Sequence, residues 1–207
     1  MITLKRATPE AVRYACLNFH YAKSVPSAKY AYNVYNAENE WCGVIIFGGG
    51  ATPNIASAMK AAKGEVVELV RVALNGKQEY TSKCVAEAIK RLHKDAPQIK
   101  IIVSYADPEQ GHVGTIYQAT NWIYIGTTEE FSHSNKAQGY LIHGKRMHPK
   151  TVYSKGWLQR IEWLRENIDP NAEEIHMEPK RKYIFVFDKR LRKQWQAKAL
   201  PYPKKGS

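Results

Sequence analysis

Two periodicities divide the chain into predicted helices and strands. Apolar residues recur at helical spacing between positions 12 and 19, and Thr8-Pro9-Glu10 before them supplies a capping hydroxyl, a proline and an acid in the first turn. Another amphipathic helix begins at Thr81 or Ser82 for similar reasons. Short β-branched and aromatic runs between polar turns predict strands at 2–6, 30–35, 41–47, 65–74, 99–103, 122–126 and 183–187, and two further helices are predicted at 114–121 and 158–167.

The order of these elements predicts an α+β fold in three layers, with a mixed, twisted central sheet between helices. A strand, a helix and a strand fill residues 65–103, which favours a parallel pair joined by a right-handed crossover. The polar turn between positions 35 and 41 favours an antiparallel pair instead. We expect one catalytic domain over residues 1–188, with 128–178 as an insertion before the last strand, and a basic C-terminal tail at 189–207.

Positive charge is concentrated at the C-terminal end. The chain carries a net charge of +12, and residues 180–207 hold ten lysines and arginines against one acid, Asp188. This excess suits a polyanion, and we expect double-stranded DNA rather than an anionic membrane, because no amphipathic helix with an aromatic face accompanies the charge. The predicted DNA-contacting residues are Lys23, Lys29, Lys189, Arg190, Arg192, Lys193, Lys198, Lys204 and Lys205, with Trp195 able to wedge between bases or stack on them.

The composition is that of a cytoplasmic globular protein. Apolar residues make up 44% of the chain, no run is long and apolar enough to cross a membrane, and the first residues lack the apolar stretch of a signal peptide. Cys16, Cys42 and Cys84 have no metal-ligand spacing, so we expect reduced, buried thiols. The sequence leaves the oligomeric state open between a monomer and a dimer.

The densest polar segment, residues 104–118, directly follows the apolar strand 99–103. Ligands of open α/β sheets lie beyond the carboxyl ends of the strands, so this segment predicts an active site. Ser104 and Tyr105 alternate across the strand end, and we expect Ser104 to face the site. Tyr117 can stabilise an oxyanion or stack on a flipped base, although a core tyrosine fits its spacing as well.

Other polar residues have both a functional and a structural interpretation. Asp107 can orient or deprotonate an attacking amine or bind a metal, or it can cap the turn that Asp-Pro favours. Arg71 stands in an apolar strand, where it needs an anionic ligand, surrounding carbonyl groups, or an internal ion pair with Glu68 or Asp107. His20 and Tyr21 end the first helix, where a histidine is either structural or functional. Four histidines without metal-ligand spacing are expected at the surface or in the insertion: His133, His143, His148 and His176.

Three motifs between residues 14 and 126 carry a resemblance to a known family. They read His20-Tyr21-x-Lys23-Ser24-x-Pro26, then Glu68-Leu69-x-Arg71-Val72-Ala73-Leu74, then Val103-Ser104-Tyr105-Ala106-Asp107-Pro108-x-x-Gly111-His112-x-Gly114-x-x-Tyr117-Gln118-Ala119-x-Asn121-Trp122. They resemble the bacteriophage Mom DNA-modification proteins, whose fold is similar to that of the GNAT acyltransferases. The resemblance implies an enzyme that converts adenine in DNA to N6-carbamoylmethyl (acetamido) adenine, an adduct that protects phage DNA from host restriction.

The resemblance also implies site residues and a group donor. The catalytic residues would be His20, Tyr21, Arg71, Ser104, Asp107 and Tyr117. The donor would be held by Arg71, Val72, Thr81, Ser82, Gly111 and Gly114. Free amides at a helix N-terminus near Thr81 suit a phosphate of acetyl-coenzyme A. The donor stays open, because an acetamido group attached through its methylene needs a bond that plain acyl transfer does not form. His20 and Asp107 offer nitrogen and oxygen ligands of the kind that iron accepts.

Two other functions compete with this interpretation. One is a GNAT acetyltransferase acting on a small amine or a protein, and the other is a non-catalytic DNA-binding protein. The basic C-terminal end argues against the first, because a small amine needs no polyanion-binding surface. The polar segment 104–118 argues against the second. We therefore expect a transferase that modifies adenine in DNA.

Overall fold

The structure, a computed structural model, describes residues 1–50, 54–128 and 138–204. The strands are β1 (Thr3–Arg6), β2 (Tyr30–Tyr35), β3 (Trp41–Gly48), β4 (Val66–Leu74), β5 (Ile101–Ala106), β6 (Ile123–Thr127), β7 (Gln138–Ile142), β8 (Lys145–Met147), β9 (Glu173–His176) and β10 (Arg181–Val186). The helices are α1 (Pro9–Phe19), α2 (Ile55–Ala58), α3 (Thr81–Asp95), α4 (Thr115–Gln118), α5 (Pro149–Ser154), α6 (Ile161–Asn167) and α7 (Lys189–Gln196), and a 3-10 turn covers Pro108–Gln110.

The chain divides into two compact units rather than the one domain expected. The larger unit comprises Met1–Ala106, Gly114–Ile125 and Lys182–Ser207, and the smaller comprises Asp107–Val113 and Gly126–Arg181. The larger unit is built on a seven-stranded sheet in the order β1-β2-β3-β4-β5-β10-β6. Strands β1 to β4 pair antiparallel, whereas β4 and β5 pair parallel through the crossover helix α3. The mixed sheet confirms the predicted α+β fold class.

Helices cover both faces of this sheet. On one face, α3 buries Val85, Ile89 and Leu92 against β3, β4 and β5. On the other face, α1 packs against β3 and β4, and α2 and α7 pack against β4, β5 and β10. Val66 and Val70 belong to these last two clusters and stand on the same side of β4, so α1, α2 and α7 share one face.

The smaller unit occupies much of the segment expected to be an insertion. Strand β7 pairs antiparallel with β8 and with β9, and Tyr140, Ile142 and Leu164 form part of its buried core. Helix α6 begins at Ile161, three residues later than expected. The sequence analysis did not predict β7, β8, β9 or α5, because each spans only three to six residues with weak periodicity. His133 lies outside the described residues.

The segment expected as a basic tail is folded onto the larger unit. Trp195 of α7 is 6% exposed and packs in a core cluster with Ile184 and Val186. Beyond the helix, the Leu200 N–H donates to the Tyr124 carbonyl, 3.0 Å away. Trp195 therefore anchors α7, and the expectation that it wedges into DNA is corrected. Removing the residues after Asp188 would expose core, so substitutions that neutralise charge test DNA contact more cleanly than truncation.

The remaining compositional expectations concern cysteines and membranes. The three cysteines are buried and unpaired, as predicted, and burial raises the pKa of the Cys84 thiol to about 11. None of the helices in the described part of the chain has the length and apolar character needed to cross a membrane.

Candidate functional site

The parallel pairing of β4 and β5 stops where the candidate site begins. The register pairs Val66 with Ile101 and ends with Glu68 opposite Val103. The next residue of β5, Ser104, donates its hydroxyl proton to the Leu69 carbonyl of β4 at 2.8 Å. A buried side chain thus replaces the backbone ladder at this point, which satisfies a carbonyl that the strand pairing leaves open. The predicted alternation is confirmed, because Ser104 faces the α3 side and Tyr105 packs in the α7 cluster.

Tyr117 of α4 is held against Ser104. The two hydroxyl oxygens are 2.8 Å apart, and because the serine proton is used on Leu69, Tyr117 donates to Ser104. Tyr117 is 7% exposed, and burial raises its pKa to about 12. It is therefore a neutral hydrogen-bond donor, and it cannot stack on a base from this buried position. The core position that its spacing allowed is the one observed.

Arg71 lies on β4 without an acidic partner. Its Nη1 is 3.4 Å from Nδ1 of His20, and its Nη2 donates to the Ser24 hydroxyl at 3.3 Å. Its Nε is buried and has no hydrogen-bond partner. Among the described acids of the larger unit, none lies within ion-pair distance, so the suggested pair with Glu68 does not form. A partly buried guanidinium with an unused donor is suited to an anionic or carbonyl ligand.

His20 and Tyr21 extend this group from the end of α1. The Thr8 hydroxyl accepts from the Ala11 N–H and fixes the start of the helix, which ends at Phe19. Nδ1 of His20 accepts from the Ala22 N–H at 3.1 Å, and since Arg71 is also a donor, this nitrogen carries no proton. The helix terminus alone suggested a protonated ring, and these two donors oppose it.

Tyr21 connects the two parts of the site. Its ring centroid is 4.2 Å from that of His20, and its phenol contributes to the raised pKa of Tyr117, so it lies near Tyr117 as well. Tyr21 is 50% exposed. The larger unit thus brings together His20, Tyr21, Arg71, Ser104 and Tyr117, and it adds Ser24, which the sequence analysis had only as part of a motif.

Asp107 belongs to the smaller unit. Its Oδ1 accepts from the Glu109 N–H at 3.1 Å, which caps the 3-10 turn, and its Oδ2 pairs with Nζ of Lys180 at 3.2 Å. The capping interpretation is therefore correct, and the ion pair adds to it. Sequence reasoning missed Lys180, because no local pattern links two residues so far apart along the chain.

Three histidines of the smaller unit have structural contacts. His148 caps α5 by accepting from the Lys150 N–H at 3.1 Å, and burial, followed by Lys180 and Lys150, lowers its pKa. His143 lies 3.6 Å from the Asp169 carboxylate. His176 accepts through its carbonyl from Arg146. No group of three or more metal-ligating side chains occurs among the described residues. They do not form the iron site that His20 and Asp107 suggested.

The predicted donor-binding residues fall in two kinds of place. Thr81 and Ser82 open α3, which begins without a side-chain cap, so its first N–H groups are available to a phosphate. Glu79 beside them is paired with Lys83 at 3.1 Å, which offsets its charge. Val72 is part of the β3–β4 ladder, opposite Ile45, and its side chain packs in the core.

Gly111 and Gly114 are needed for their backbone conformations. Gly111 ends the 3-10 turn with φ of +68°, and Gly114 precedes α4 with φ of +80°. A Cβ at Gly114 would lie 2.5 Å from the Tyr183 ring, whereas a Cβ at Gly111 would meet nothing within 4 Å. Gly114 is thus explained by close packing on Tyr183.

Replacing Gly114 by alanine is expected to lower the free energy of unfolding by about 3 kcal/mol, since left-handed strain and overpacking add. Gly76→Ala is the matched control in the same unit, because Gly76 has φ of +89° but open space around it. We expect that variant to lose only about 1 kcal/mol, the strain alone. Urea unfolding curves measure both, and equal losses would contradict the packing explanation.

Two buried charged residues were also missed. Lys182 of β10 is 4% exposed and Glu68 of β4 is 9% exposed. Burial lowers the pKa of Lys182, and the nearby Glu68 opposes that shift. Lys182 alternates with Ile184 and Val186 in a strand predicted to be buried on both faces, and this was the available signal.

The predicted DNA-contacting residues differ in availability. Lys189, Arg190 and Lys193 are exposed on α7. Arg192 instead donates to the Asn121 carbonyl at 2.9 Å and lies over the Phe185 ring. The remaining described residues of the set, Lys23, Lys29, Lys198 and Lys204, are exposed, and Lys205 lies outside the described residues.

Comparison with known proteins adds an independent line of evidence. A methylcarbamoylase mom from Escherichia phage Mu is 26% identical over 193 residues, which cover 89% of this chain and 76% of that protein. The crystal structure of a mutant SpeG spermidine N-acetyltransferase from Vibrio cholerae superposes with a TM-score of 0.51 at 9% identity, covering 93% of this chain and 98% of that one, and supports a GNAT acetyltransferase fold. The model of the Mom protein family matches residues 1–204, and the chain therefore belongs to that family.

Proposed function

We propose that this chain transfers a carbamoylmethyl group to the exocyclic N6 amine of adenine in DNA. Membership of the Mom family supports a role in DNA modification. The net charge of +12 supports a polyanionic substrate. The observation that carries the proposal is the contact of Arg71 with His20 and Ser24, which holds a guanidinium in place without an acid to neutralise it.

Arg71 is the proposed binding residue for the group being transferred. A carbamoylmethyl group carries an amide oxygen, which can accept from the Nε that has no partner in the protein. His20 and Ser24 hold the two Nη atoms, so the fork has little freedom left to lose when the ligand arrives. Binding in this way also removes the cost of a buried donor that is not hydrogen-bonded.

The proposed reaction forms one bond and breaks one. The adenine N6 lone pair attacks the methylene carbon of the donor, and the leaving group departs with the electron pair of its bond to that carbon. N6 then loses one proton, for which we propose Asp107 as the acceptor. Tyr117 is neutral at physiological pH, because burial raises its pKa to about 12, and a neutral phenol can stabilise negative charge only by donating.

Acetyl-coenzyme A, if it serves this fold as it serves GNAT enzymes, would place a phosphate at the uncapped start of α3, near Thr81 and Ser82. When bound it supplies an activated two-carbon unit. The donor of a carbamoylmethyl group needs its leaving group on the methylene carbon, so we keep the donor chemically distinct from a simple acyl thioester.

The test is to express the chain in cells, digest their DNA to nucleosides and weigh them. We expect deoxyadenosine, and no other nucleoside, to gain the mass of one carbamoylmethyl group in place of a hydrogen. An unmodified profile in the presence of folded protein would contradict the proposal. Acetylated small amines in the same cells would then favour an acetyltransferase, and DNA binding without any product would favour a non-catalytic role.

A further inference from the structure

Two exposed lysines are brought together where α2 and α7 pack on the sheet. Met59 and Ala61 belong to the same core cluster as Trp195 and Ala199. Lys60 lies between the first two residues in sequence, and Lys198 directly precedes Ala199. Because their neighbours pack together, the two lysine side chains emerge side by side from the surface of the larger unit.

The two ammonium groups are in direct contact. Lys60 lowers the pKa of Lys198, first through charge repulsion and second through the contact of their side-chain nitrogens. Nζ of Lys198 also lies 5.6 Å from the centre of the Trp195 ring, which restrains it. Two like charges at this separation repel even in water, and an anion between them would reverse the sign of the interaction.

No protein anion fills this position. Among the described acids of the larger unit, none forms an ion pair with Lys60 or Lys198. The nearest acids along the sequence have other partners, since Glu65 pairs with Lys100 at 2.6 Å and Asp188 caps α7. The same helix exposes Lys189, Arg190 and Lys193, so the surroundings are basic as well.

The position on the sheet agrees with that of the candidate site. Helices α2 and α7 share a sheet face with α1, whose C-terminal end carries His20 and Tyr21. A duplex that rests on this face lies on the side from which these two residues emerge. One phosphate group carries a single negative charge and several acceptor oxygens, so it can accept from both ammonium groups at once.

We propose that Lys60 and Lys198 form a clamp for one phosphate of the DNA backbone, on the α1–α2–α7 face of the larger unit. The proposal rests on DNA being the substrate, as set out under the proposed function. The clamp contributes affinity and register without reading sequence, since it contacts the backbone only.

The test compares two double variants of the full chain in binding to a labelled DNA duplex, followed by fluorescence anisotropy over a range of salt. Losing two phosphate-contacting cations in K60Q/K198Q should flatten the slope of log affinity against log salt by roughly 1.8. The control K83Q/K90Q removes the same net charge, but from lysines already paired with Glu79 and Glu87 at 3.1 and 2.7 Å. Its slope should equal that of the wild type.

Equal slopes for both double variants would overturn the clamp, whichever value they share. Thermal melting should show K60Q/K198Q at least as stable as the wild type, because the substitution relieves repulsion, so lost binding cannot come from unfolding. Inorganic phosphate at constant ionic strength should displace no more duplex from the wild type than from K60Q/K198Q. Greater displacement from the wild type would assign the site to free phosphate instead. The nucleoside masses are measured separately, so failure of adenine modification and failure of the clamp remain distinguishable.

Discussion

Replacing Arg71 by methionine is expected to reduce adenine modification to background while the protein stays folded. Methionine has a similar length and apolar stem but lacks the guanidinium that contacts His20 and Ser24. Losing one charged donor that acts on the reacting group lowers the rate by a factor on the order of 10²–10³. No acid of the described larger unit depends on Arg71, so its removal leaves no buried carboxylate unpaired, and stability should not fall.

The matched control is Arg91→Met on α3. Arg91 forms an ion pair with Asp95 at 3.0 Å, so this variant removes the same charge and loses a structural contact. We expect it to modify DNA at the wild-type rate and to be slightly less stable, by up to about 1 kcal/mol for a largely exposed pair. Nucleoside mass and urea unfolding are measured on both variants. Normal modification by Arg71→Met would remove Arg71 from the site, and a large loss of its stability would make it a structural residue.

The sheet and the residues at its strand ends were predictable because local patterns determine them. The apolar spacing of α1 fixes where that helix ends, and therefore where His20 and Tyr21 emerge. The strand–helix–strand pattern from β4 to β5 implies a parallel pair, and alternation along β5 implies that Ser104 and Tyr105 face opposite sides.

The partners of these residues were not predictable, because tertiary packing decides them. The spacing of Tyr117 allows either a core or a site position, and only the fold places its hydroxyl 2.8 Å from Ser104. The same holds for Arg71, since a strand pattern indicates burial but does not say whether an acid stands opposite. Burial of a charged residue is a sequence property, whereas the absence of its partner is a property of the assembled sheet.

The C-terminal segment was misjudged because its charge obscured its apolar face. Leu191 and Trp195 stand at i and i+4, and both contribute to the core cluster beneath α7. Two apolar residues in a highly charged octapeptide give a weak periodicity signal, yet one buried tryptophan suffices to hold a short helix on a sheet. The charge excess still indicates a polyanion, and the exposed face of α7 is where it is displayed.

Replacing Asp107 by asparagine is expected to lower adenine modification by a factor on the order of 10²–10⁴, the usual contribution of a general base. The amide oxygen can still accept from the Glu109 N–H and keep the 3-10 turn capped, so the smaller unit should remain folded. Lys180 loses its partner, but its side chain is 45% exposed and water can solvate it, which limits the stability loss to about 1 kcal/mol.

Lys180→Met separates the two roles of Asp107. It removes the same ion pair, 3.2 Å long, from the other side and leaves the carboxylate in place on its capped turn. If Asp107 accepts the proton of the amine, Lys180→Met should retain far more modification than Asp107→Asn, with both proteins showing native circular dichroism. Should the two variants lose modification equally, the ion pair itself would be what matters, and Asp107 would be a structural residue of the smaller unit rather than the base.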